Sequence, residues 1–70
     1  MRRQELIRLI NIEAKSQGVT FSFKRRGGNH DIFTLGNSTI AIGRHRVLKP
    51  GDVNAILDET EEELGEKWWR

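Results

Sequence analysis

An α+β domain with the element order α-β-β-β-α is predicted by three observations. Apolar residues recur at helical spacing in two segments, one near each end of the chain. Between them lie three short stretches in which apolar and polar residues alternate. Glycine and asparagine clusters separate those stretches. Both helical segments are apolar on one side only, so both should cover the same face of a three-stranded antiparallel sheet and leave its other face open.

The first helix is read from RRQELIRLINIEAKSQG. Leu6, Ile10 and Ala14 are spaced by four, and Ile7 and Leu9 widen the stripe. Gly18 is placed to end the helix in the left-handed conformation. VTFSFKR follows as a half-buried strand, with Val19, Phe21 and Phe23 on one side. GGN is a turn, HDIFTL a second strand, and the Gly36-Asn37 region a second turn. STIAIG is the third strand, with Ile40 and Ile42 on one face. RHRVL connects it to a helix opened by KPGDVNAILDETEEEL. Pro50 suits the first turn of that helix, and Asp52 complements its dipole. Val53, Ile56, Leu57 and Leu64 form its apolar stripe, and Gly65 ends or interrupts it. The acidic run DETEEELGE reads as a solvated helical face. It belongs to an acidic extension of the second helix over about residues 59–70.

Seventy residues make one domain, and a chain of this size buries only about 60% of its unfolded surface. With no cysteine, disulfides and cysteine-based zinc sites are excluded. No apolar run approaches the roughly 20 residues of a membrane span, and MRRQELIRLI lacks the apolar core of a signal peptide. A cytoplasmic location is therefore expected.

A formal net charge of +2 conceals a strong asymmetry. The segment from Met1 to Val19 carries +2, that from Thr20 to Pro50 carries +5, and that from Gly51 to Arg70 carries −5. In the middle segment Lys24, Arg25, Arg26, Arg44, Arg46 and Lys49 stand against Asp31 alone. Such a segment fits a polyanionic partner. It also fits internal pairing with the acidic third, and charge alone leaves both readings open.

The stretch RRGGNHDIF places a histidine beside arginines at a hairpin turn, where the turn itself needs only the glycines and the asparagine. Three pieces of the chain carry a resemblance to a known family. SQGV closes the first helix, GGNHDIF enters the second strand, and RHRVLKPGDVNAIL joins the third strand to the second helix. In outline the order of elements is similar to the double-stranded-RNA-binding-domain fold. In detail the chain resembles the HicA-type mRNA interferase toxins of bacterial toxin–antitoxin pairs (the YcfA-like family), over about residues 3–58. The family's turn reads Gly-Ser-(Asn/Ser/Gly)-His; this chain has Gly27-Gly28-Asn29-His30. The family's connection often reads Pro-Arg-His and then Lys-Pro-Gly. This chain has Gly43-Arg44-His45 and then Lys49-Pro50-Gly51. Gly28 departs from the usual serine, removing a hydroxyl that could orient a phosphate or the imidazole. The tail EEELGEKWWR runs beyond the family's usual end.

The resemblance implies a small endoribonuclease that cleaves mRNA without a metal or other cofactor. It assigns the catalytic role to His30, and it implies a cognate HicB-type antitoxin that masks the His30 turn. The residues taken by themselves suit that chemistry. Metal-free cleavage needs a base for the 2′-hydroxyl proton, cations around the phosphorane-like transition state, and an acid for the departing 5′-oxygen. Histidine serves either proton transfer, with an ordinary pKa of about 6.5. Lys24, Arg25, Arg26, Arg44, Arg46 and Lys49 can hold phosphate electrostatically. Backbone N–H groups at Gly27 and Gly28 can approach it closely. Three roles stay open for His45: a phosphate contact, a second proton transfer, or a plain surface residue. Arg25 and Arg26 should point to opposite sides of an extended chain, whereas Arg44 and Arg46 should share a side that His45 does not. Trp68 and Trp69 could stack bases or pack on their own domain. Two histidines and Asp31 do not have the ligand count of a zinc site, and no Walker loop or dinucleotide fingerprint is present. The competing reading is a non-catalytic RNA-binding module of the double-stranded type. That module prefers a basic start to its second helix, where this chain places Asp52.

Overall fold

A computed structural model describes residues 1–70. The expected order is observed: α1 (Arg3–Gln17), β1 (Phe21–Gly27), β2 (His30–Leu35), β3 (Ser38–Gly43) and α2 (Pro50–Leu64). The strands form one antiparallel sheet in the order β1-β2-β3. α2 packs on β3, and α1 packs on α2 and β1.

The core joins the apolar stripes of both helices to one sheet face. Leu6, Ile10 and Ala14 of α1 meet Phe33, Leu35, Ile40 and Ile42 of the sheet and Val53, Ile56, Leu57 and Leu64 of α2. The sheet residues in that set alternate along their strands. Thr39 and Ala41, which point the other way, are exposed, and Ile32 and Thr34 are half-buried. One sheet face is thus covered by helices and the other is open, as the one-sided stripes require.

Two boundaries differ from the sequence reading, each for a local reason. β1 begins at Phe21 rather than Val19 because the Val19 N–H closes α1 on the Ala14 carbonyl at 2.8 Å. Gly18 adopts the left-handed conformation there (φ 71°), as expected of a helix-ending glycine. At the other end of the chain, α2 stops at Leu64, so the extension over about residues 59–70 is helical only in its first part. The Gly65 and Lys67 N–H groups turn back onto the Glu61 carbonyl and side chain, each at 2.8 Å. The indole N–H of Trp68 donates to the buried Thr60 hydroxyl at 2.7 Å, and Trp68 and Trp69 pack against the core. The two tryptophans therefore belong to the fold.

β1 carries a β-bulge that the alternation pattern conceals. Phe23 pairs with Phe33, but Arg25 pairs with Ile32, leaving Lys24 as the extra residue. An inserted residue reverses the facing of everything after it. Phe21 and Phe23 lie on the helix side, where Phe21 stacks on Phe33 at 5.1 Å and Phe23 meets it edge-on at 5.8 Å. Past the bulge, Arg25 joins the face of Ile32 and Gly27 the face of His30, which is the open one.

The β1–β2 turn has two residues, Gly28 and Asn29, between the paired Gly27 and His30. Gly28 has φ 42°, and a two-residue hairpin with positive φ at its first position favours glycine there. Gly28→Ser is expected to lower stability by about 1–2 kcal/mol through backbone strain alone. A Cβ at Gly28 would meet nothing within 4 Å, so no clash adds to that cost. Thermal melting of the variant checks the value.

Candidate functional site

His30 is the first residue of β2, and its neighbours across the sheet on both sides are glycines. Gly27 pairs with it from β1 and Gly43 from β3. No cross-strand side chain shields the imidazole, and His30 is exposed. A Cβ built on Gly43 would lie 3.9 Å from His30 Cδ2, so the ring leans over that glycine. Arg25 reaches toward the same strand end, with Nη1 3.1 Å from where a Gly27 Cβ would stand. Gly43 leaves room for the imidazole, and Gly27 leaves room for the Arg25 guanidinium.

Beside His30 lies an open cleft of about 400 Å³. Its sheet side is formed by His30, Ala41 and Gly43, and Asn29 and His45 also line it. Its helix side is formed by Asp52, Ala55, Ile56 and Glu59 of α2. The structure thus brings His30 and His45 to one cleft although fifteen positions separate them in the chain. The opposite wall carries two carboxylates. No three of the histidine and carboxylate groups converge to share a metal ion.

The connection after β3 sends its side chains alternately to two sides. His45 lines the cleft just described, while Arg44 and Arg46 line a second concavity of about 290 Å³ with Arg2, Arg3 and Gln4. Arg44 also braces the histidine strand. Its Nη2 donates to the His30 carbonyl at 3.3 Å, and its backbone N–H approaches the Asn29 carbonyl at 3.4 Å.

Asp31 is the electrostatic hub of this region. Its Oδ2 accepts from Arg3 Nη2 at 2.7 Å and its Oδ1 from Arg44 Nε at 2.9 Å. The hydrogen bond from Arg44 holds the Asp31 carboxyl below its ordinary value of 3.8. Desolvation opposes the shift, and the charges of Arg44, Arg3 and Arg26 reinforce it. A carboxyl whose pKa is lower in the folded state binds fewer protons there than in the unfolded chain. Its stabilising contribution is complete above the unfolded value and is lost as pH falls through the folded one. Asp31→Asn is therefore expected to melt at a lower temperature than wild type at pH 7. The gap should narrow as pH drops below about 4, the ordinary carboxyl range. Paired melting curves across that range check it; a gap independent of pH would assign the loss to packing instead.

Of the residues singled out in the sequence, His30, His45, Gly27, Arg25, Arg44 and Arg46 gather around this end of the sheet. Gly28 supplies the turn that precedes His30. Arg26 pairs across from Asp31, on the opposite side from Arg25. Lys24 occupies the bulge and Lys49 the position before α2; both are exposed and neither lines the two concavities. Arg2 and Arg3 were not among the candidates, though both line the arginine concavity. The sequence signal for them is the adjacent basic pair at the start of the chain.

Neither the protein-family models, nor the curated proteins, nor the solved structures contain a match to this chain.

Proposed function

We propose that this chain is an mRNA interferase, the toxin of a bacterial toxin–antitoxin pair, that cleaves RNA without a metal ion. The observation that carries this reading is the meeting of His30 and His45 at one cleft, with Arg25 on the same sheet face as His30. The RNA 2′-oxygen loses its proton to one imidazole and attacks the adjacent phosphorus in line. Charge gathering on the phosphoryl oxygens is met by the guanidiniums. The bond to the 5′-oxygen breaks, and the other imidazole, protonated, supplies that oxygen's proton. The products are a 2′,3′-cyclic phosphate and a 5′-hydroxyl. Asp52 and Glu59 on the α2 wall repel phosphate, so the RNA backbone follows the sheet side, past His30 and toward Arg25.

Incubation of the purified protein with single-stranded RNA in EDTA tests this. Cleavage with cyclic-phosphate ends is expected. Binding without cleavage would favour the RNA-binding module, and neither would remove RNA as the substrate class.

The same reading implies a bacterial cytoplasmic location and a HicB-type antitoxin seated over the His30 turn. The exposed basic groups there favour a partner with acidic residues at the contact. Hydrogen exchange from Arg25 to Phe33 is expected to slow when the antitoxin binds; unchanged exchange would place the antitoxin elsewhere.

A further inference from the structure

The arginine concavity is built by two distant parts of the chain. Met1 and Arg2 lie antiparallel to the segment after β3, with a bridge between Arg2 and Val47. The Leu48 N–H donates to the Met1 carbonyl at 2.8 Å, and the Arg3 N–H to the Arg46 carbonyl at 2.9 Å. These backbone bonds fix Arg2 and Arg3 beside Arg44 and Arg46.

The charges there are incompletely satisfied. Four guanidiniums and Gln4 line the concavity, and no apolar side chain does. Asp31 is the one carboxylate paired with them, and both its oxygens are taken by Arg3 and Arg44. Arg3 is further tethered by Nε to the Gly43 carbonyl at 2.8 Å, and Arg44 by Nη2 to the His30 carbonyl. Arg2 and Arg46, both exposed, make no side-chain hydrogen bond or ion pair. Two guanidiniums are thus held rigidly and two are free to close on a ligand. That arrangement suits a phosphate, whose oxygens accept paired N–H donors from arginine.

The position adds the direction. Arg44, His45 and Arg46 are consecutive, and their alternation puts the histidine cleft on one side of this segment and the arginine concavity on the other. The two concavities therefore lie on either side of the same three residues.

We propose that Arg2, Arg3, Arg44 and Arg46 form a second phosphate site, which holds single-stranded RNA on the far side of the Arg44–Arg46 segment from the scissile bond. The proposal rests on RNA as the ligand, and its test is independent of cleavage. In a His30→Ala background, binding of single-stranded hexanucleotides and dinucleotides is measured across a salt series. Each phosphate contact on a single strand contributes about 0.7 to the slope of log K against log salt. Arg2→Gln is expected to lower the hexanucleotide slope by about 0.7, and Arg2→Gln with Arg46→Gln by about 1.4. Arg2→Lys should recover most of the lost slope, because the charge returns. The dinucleotide, too short to reach both sites, should show less loss than the hexanucleotide. Unchanged hexanucleotide slopes in both glutamine variants would overturn the proposal. So would glutamine variants that bind RNA normally but lose affinity for poly-glutamate, which would make the concavity a dock for an acidic protein. Slope loss in a protein that never cleaves RNA would support the second site while removing the nuclease reading. Arg2 is exposed and its side chain makes no hydrogen bond or ion pair, so melting curves of Arg2→Gln should match those of its parent.

Discussion

On the proposed ribonuclease reading, replacing His30 with alanine is expected to lower RNA cleavage by about 10²–10⁴-fold, the usual cost of losing a proton-transfer group. The melting temperature should hardly move. His30 is exposed on the open face, and the core lies on the other side of the sheet. Surface changes of this kind usually alter stability by less than about 0.5 kcal/mol. Binding should survive as well, because the guanidiniums of Arg25, Arg44 and Arg46 do not depend on the imidazole for position. Arg44 is tied to the His30 carbonyl, which the substitution keeps. The expected signature is therefore inactive, folded and RNA-binding. Measuring all three on one preparation separates a chemical role from a structural one. A His30→Ala protein that cuts at the wild-type rate would transfer the central role to His45, already at the same cleft.

Much of this architecture was legible in the sequence because helical and strand periodicities are local signals. β2 and β3 fall where HDIFTL and STIAIG place them, since a two-residue turn bounds each. The α2 stripe is buried as read, with Thr60 added because its hydroxyl is satisfied by the Leu57 carbonyl and the Trp68 indole. The parity of Arg44, His45 and Arg46 could also be read, since alternation is a property of the extended chain.

What escaped depends on pairing between distant residues. The bulge at Lys24 exists only in the register between β1 and β2, and FSFKRR alternates smoothly without it. Arg25 consequently reaches the histidine face by a one-residue insertion that no composition reveals. The convergence of Arg2 and Arg3 on Arg44 and Arg46 needs the bridge at Val47. Nor does the sequence show what Gly43 faces. It reads as the end of a strand, whereas across the ladder it is the residue opposite His30.

That last pairing yields the second large expected effect. Gly43→Val should suppress cleavage nearly as far as loss of His30, while the fold is kept or strengthened. Gly43 has no positive φ, so a branched side chain meets no backbone strain. β-Branched residues are also better accommodated in strands than glycine. The first added atom would lie 3.9 Å from both His30 Cδ2 and Leu48 Cδ2, an ordinary contact. The branched methyls reach further. They fill the sheet side of the cleft and press on the ring, which must then leave the geometry that in-line attack requires. Gly43→Ala stops at that first contact and should lose much less activity. A graded loss from glycine through alanine to valine, with melting temperatures level or rising, would tie activity to the free space around the imidazole. Full activity in Gly43→Val would mean that the glycine serves only the strand and that the reacting phosphate lies away from this side of His30. The same series read by RNA binding divides the remaining cases. Valine should leave the salt slope intact, because Arg3 holds the Gly43 carbonyl and not a side chain, so the arginines keep their places.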